Sequence, residues 1–152
     1  MTTDINNRIE TFTSHNGEKA PLPFSKAEYD RRLKAPRGIM AENDLPAVVL
    51  TSMHNIAYYS GFLYCSFGRP FGCVVTKDAC TTVSANIDGG QPWRRSVADN
   101  VIYTDWQRDN FWRAVRDLTG KTDRIGIEGD HRTPEAPAAL DDVPGISELA
   151  GP

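Results

Sequence analysis

The chain has 152 residues, with 17 Lys plus Arg against 20 Asp plus Glu, a formal net charge of -3 and 39% hydrophobic residues. That length suits one domain with its own core, and the slightly acidic balance excludes the basic excess of a nucleic-acid footprint. The first twenty residues are polar and no apolar run reaches spanning length, so neither a signal peptide nor a membrane partner is expected. Three cysteines, Cys65, Cys73 and Cys80, are odd in number and lack the close-pair spacing of a zinc site. They predict reduced thiols and a cytoplasmic location.

Residues 1–23 read as a polar arm that lies over the domain surface or frays, and residues 24–152 as the domain. Ser25 and Glu28 form a Ser-x-x-Glu capping box, with Phe24 and Tyr29 at the two staple positions, so a helix starts there. Its apolar stripe continues through Leu33, Ile39 and Met40, and a bend is expected near Pro36 and Gly38. The run PAVVLT (46–51) fits a strand covered on both faces. Ser52 caps a helix through Tyr59, and Gly61 stops it. Residues 71–76 and 80–84 make a hairpin. Residues 86–95 are rich in turn formers, with Gly-Gly and Pro breaking any regular element before Trp93. After a strand at 101–103, Thr104 and Gln107 form a second capping box. Phe111, Ala114, Val115 and Leu118 then share one helical face, Asp109 and Arg113 pair at i,i+4, and Gly120 ends the helix. A strand at 124–128, a short helix after Thr133 and Pro134, and an edge strand at 146–149 complete the chain. Alternating helices and strands give the class α/β, a mixed β-sheet flanked by helices.

The strongest claim to chemistry is FLYCSFGRPF at 62–71. Gly68 permits a tight turn, and Pro70 fixes its own φ and pushes Arg69 towards an extended backbone. Arg69 is thus presented on a held loop. With Phe67 two residues before it, it could grip a carboxylate by a guanidinium fork while the ring lies against a cationic or flat group. Such a pair suits a small zwitterion; the alternative is a hydrophobic turn with a solvated Arg. His15, His54 and His131 are too scattered for a metal site, and His54, in the first turn of a helix, reads as structural. Cys65 reads as a nearby thiol rather than a nucleophile, because no histidine stands in its stretch. Asp88-Gly89-Gly90 is a turn, not a phosphate cradle. Trp93, Trp106 and Trp112 each lie within two residues of an Arg, which fits either a protein interface or ordinary packing.

FLYCSFGRPF, NIDGGQPWRR and YTDWQRDNFW, in this order and spacing, together with FSKAEY and TSMHNIAYYS, resemble the amino-terminal domain of the creatinases. That family belongs to a wider group with prolidase and aminopeptidase P, whose chains pair a smaller α/β domain with a catalytic carboxyl-terminal "pita-bread" domain. The resemblance implies hydrolysis of creatine to sarcosine and urea, with no metal and no cofactor; the small-molecule partner it implies is creatine or a similar guanidino acid. It implies no catalytic residue in this chain, since those belong to the carboxyl-terminal domain, which the sequence does not reach; the chain is expected to be a fragment, inactive alone. By the resemblance, Phe67 and Arg69 bind substrate in the active site of the other subunit of a homodimer. Two other readings stand beside it: a stand-alone binding or assembly module, and the amino-terminal domain of an Xaa-Pro peptidase-like enzyme.

Overall fold

Serines cap two of the described helices, at Ser25 and Ser52, and glycines stop two, at Gly61 and Gly120. A computed structural model describes residues 9–64, 68–105, 110–120, 122, 124–128 and, as backbone, 148–149. Helix α1 (Lys26–Arg32) begins where the Ser25 hydroxyl accepts from the Glu28 N–H at 3.3 Å. Phe24 and Tyr29 meet edge-on with centroids 6.2 Å apart, as the staple requires. The Glu28 carboxylate turns instead to Arg31 and Arg32, which hold it down to a pKa of about 2.

The expected bend is displaced: α2 (Lys34–Glu42) follows a one-residue break at Leu33, and both Pro36 and Gly38 lie inside it. A proline ring clashes with the carbonyl four residues earlier, here that of Arg32. Ending α1 at Arg32 places Pro36 in the first turn of α2, where a missing N–H leaves no bond unmade. Arg32 itself is buried between Phe24 and Tyr58, donating to Glu28 at 2.9 Å and to the Tyr58 carbonyl at 3.0 Å, and so ties α1 to the end of α3 (Met53–Ser60).

Among the described residues seven strands form one mixed sheet, in the order β1-β5-β4-β3-β2-β6-β7. Strands β2 (Ala47–Leu50), β3 (Gly72–Thr76) and β4 (Cys80–Ala85) are antiparallel neighbours. Strands β5 (Asp99–Tyr103) and β6 (Ile125–Ile127) run parallel to β4 and β2. At the edges β1 (Thr11–Phe12) pairs antiparallel with β5, and β7 (Glu148–Leu149) parallel with β6.

The period of two along the strands separates two cores. Ala47, Val49, Val74, Val83 and Ala85 face Phe111, Trp112, Ala114 and Val115 of α5 (Asn110–Thr119). On the other face Leu50, Cys73 and Val75 pack with Leu33, Met40 and Ile56 from the α1–α3 side. Gly72 lets α5 approach closely, since a Cβ there would lie 3.0 Å from the Phe111 ring.

From residue 9 on, the arm lies over the domain surface, one of the two courses expected of it: besides β1, the Lys19 ammonium donates to the carbonyls of Trp93, Ser96 and Ala98, each at 2.9 Å, and stands 3.6 Å over the Trp93 ring. The expectation of no regular element before Trp93 needs correction: residues 86–95 form a 3-10 turn at Asn86–Asp88 and the one-turn helix α4 (Gln91–Arg94). Pro92 sits at the second helical position, where it fits, so Trp93 is helical. The Thr104 side chain donates to the carbonyls of Ile9 and Glu10, and Arg113 reaches Glu10 at 3.2 Å. Gln107, Asp109 and the helix expected after Thr133 lie outside the described residues.

Candidate functional site

The segment 62–71 starts where α3 stops. Ser52 caps that helix by accepting from the Asn55 N–H at 3.2 Å, and Gly61 ends it in the left-handed region at φ 84°. A side chain at Gly61 would collide with Tyr29, its Cβ falling 2.9 Å from the phenol oxygen. The strand-to-helix corner before α3 is fixed from far along the chain. Glu128 accepts from the N–H groups of Thr51 at 2.9 Å and Ser52 at 2.8 Å, and from the Asn55 amide. Burial alone would raise its pKa, but these hydrogen bonds, those of Ser52 foremost, outweigh it and hold the carboxyl below its ordinary value.

Both ends of the segment are anchored. Phe62 and Phe71 are buried and meet at 5.5 Å, and Tyr64 stacks on Phe62 at 5.6 Å while its hydroxyl meets Asp88. The Tyr103 hydroxyl donates to the Pro70 carbonyl at 2.8 Å. Burial, and next the Asp105 charge, push this phenol's pKa up, so it stays protonated as a donor. Gly68 takes φ 76°, with open space where a Cβ would stand; there the backbone angle, not room, calls for glycine.

Arg69 extends from this held backbone and forms an ion pair with Asp105, just past β5. Their side chains are 41% and 38% exposed. A pair this open to water contributes about 0–1 kcal/mol, so a ligand carboxylate can take the place of Asp105 at small cost. Phe67, the other half of the expected pair, lies outside the described residues, as does Cys65.

Sequence reasoning missed the contacts that anchor the loop's two ends, Tyr64 to Asp88 and Tyr103 to the Pro70 carbonyl, and the Asp105 partner of Arg69. Only proximity in space reveals them. The tryptophans divide: Trp112 is buried against the sheet, and Trp93 is stacked at 3.7 Å on His15, which pairs with Asp99 at 2.8 Å. Ordinary packing therefore accounts for both, while Trp106 lies outside the described residues. His54 is exposed on α3. Among the described residues no helix is long and apolar enough to cross a membrane, and no group of three or more His, Cys, Asp or Glu could hold a metal ion.

The family model described as Creatinase/Prolidase N-terminal domain matches residues 32–149. A creatinase from Bacillus sp. (strain B-0618) is 47% identical over 139 residues, covering 89% of this chain and 34% of that protein. The chain thus spans about a third of the length of that relative. The solved dipeptidase PepE from Mycobacterium ulcerans superposes with a TM-score of 0.69 at 17% identity, over 83% of this chain and 35% of that one. A domain of a dipeptidase from Streptococcus thermophilus superposes with a TM-score of 0.67 at 16% identity, over 78% of this chain and 90% of that one. At such identities the two structures establish the fold alone.

Proposed function

The chain belongs to the creatinase/prolidase amino-terminal domain family, and from that premise we propose that it is the non-catalytic amino-terminal domain of a creatinase-like amidinohydrolase. The reaction is creatine plus water to sarcosine plus urea, carried out with a carboxyl-terminal catalytic domain in a homodimer. The observation that carries this reading is the 47% identity to a creatinase, well above the 16–18% shared with the solved dipeptidases. In this reading Arg69 binds the creatine carboxylate and Phe67 lies against its planar guanidinium, both reaching into the other subunit's active site. Two features support the role of Arg69: its backbone is pinned through Pro70, and its present partner is a carboxylate in a pair open to water. No metal or cofactor enters the chemistry proposed, and the protein works in the cytoplasm.

The test is urea release from creatine by the full-length product of the same gene, with the 152-residue chain assayed beside it. Urea from the longer form alone is expected. If neither form releases urea, the creatine reading falls; if the short chain alone does, the placement of the catalytic residues is wrong.

A further inference from the structure

The geometry points to Cys73 and Cys80 as a reversible dithiol–disulfide site, oxidised across the β3–β4 hairpin by a low-molecular-weight disulfide. The sequence alone gives three scattered cysteines, but the strand register pairs two of them. Cys73 lies opposite Thr82 and Val75 opposite Cys80, so Cys73 and Cys80 are diagonal neighbours on one face of the sheet. Their sulfurs are 3.1 Å apart, about 1 Å beyond the roughly 2.0 Å of a disulfide bond. Both thiols are free.

The two positions also differ as the chemistry requires. Cys80, at the turn end of β4, is only partly buried, whereas Cys73 is fully buried against the α1–α3 core. The hydrogen bond with Cys80, and then burial, raise the Cys73 thiol's pKa well above its ordinary value. Cys80 is therefore the attacking sulfur and Cys73 the resolving one. In the first step the Cys80 thiolate attacks one sulfur of glutathione disulfide, forming a mixed disulfide and expelling one glutathione thiolate. In the second, the Cys73 sulfur attacks the Cys80 sulfur, the second glutathione leaves, and the Cys73 proton passes to a departing thiolate. Two protein thiols are oxidised, and one glutathione disulfide is reduced to two thiols. The bond ties together the hairpin whose first strand follows directly from the Arg69–Pro70 loop, and it requires nothing of the creatine reading.

The experiment is glutathione titration of the reduced 152-residue chain, folded and in urea, followed by alkylation of free thiols and digestion without reductant. Trypsin cuts after Lys77 and chymotrypsin after Phe71, so segment 72–77, holding only Cys73, stays joined to the segment starting at Asp78 only through a Cys73–Cys80 bond. The joined pair is expected from the folded chain. Its half-oxidation point should shift to more reducing mixtures than in urea, and Cys80→Ser should abolish it. A stable glutathione adduct on Cys80, a bond through Cys65, unreacted thiols, or equal titration points folded and unfolded would each overturn the assignment.

Discussion

Replacing Glu128 tests the long-range corner that delivers the candidate loop. Its carboxylate receives two backbone N–H groups, from Thr51 and Ser52, and the Asn55 amide at the start of α3. Glu128→Ala strips the acceptor from all three donors. Each charge-assisted hydrogen bond contributes about 1.5–3 kcal/mol, and water replaces part of that at a half-buried site, which puts the loss at about 2–3 kcal/mol. For a domain of this size each kcal/mol moves Tm by about 2–4 °C, so a fall of about 5–10 °C is expected. Glu128→Gln keeps an acceptor oxygen and should lose about half as much. The carboxyl's folded pKa lies below its ordinary value. Its contribution is therefore complete above about pH 4.3, the unfolded value, and fades as pH falls through the lower folded value. Thermal unfolding followed by far-UV circular dichroism at pH 7 and in acid is the assay. An unchanged Tm for Glu128→Ala at pH 7, or a gap between wild type and Glu128→Gln that persists in acid, would refute the reasoning.

Three further outcomes can be checked by urea denaturation. Gly61→Ala, forced into the left-handed region and against Tyr29, should lose about 2–3 kcal/mol. Lys19→Ala removes three carbonyl contacts that hold the arm; a loss of about 1–2 kcal/mol is expected, with faster proteolysis within residues 9–20. Asp105→Asn removes an exposed ion pair and should change stability by less than about 1 kcal/mol; a loss above about 2 kcal/mol would show the pair to be structural.

Local chemistry made much of this fold legible. Ser25, Ser52, Gly61 and Gly120 mark helix ends by interactions within a few residues, and the structure uses each as expected. The stripe Phe111, Ala114 and Val115 and the β3–β4 hairpin follow equally from periodicity. What local pattern could not supply is a partner far along the chain. Strand β1 is two residues in a polar arm, and only its pairing with Tyr103 and Ile102 makes it a strand. Glu128 serves a helix more than seventy residues before it. The break at Leu33 was misplaced for a different reason: a proline disrupts the helix behind it, so the chain divides before Pro36 rather than at it. At the candidate loop the turn at Gly68 follows from its residue type, and the structure gives it φ 76°, whereas the partners Asp105 and Tyr103 could not be read beforehand, because contact across the sheet's end leaves no mark in spacing.

The most direct test of the central claim is creatine hydrolysis by the full-length enzyme carrying Arg69→Ala, measured as kcat and KM beside wild type. A charged hydrogen bond to the substrate carboxylate contributes about 1.5–3 kcal/mol, so kcat/KM should fall roughly 10- to 150-fold with the fold retained. Wild-type kinetics in that variant would contradict the account and leave Arg69 as the surface partner of Asp105.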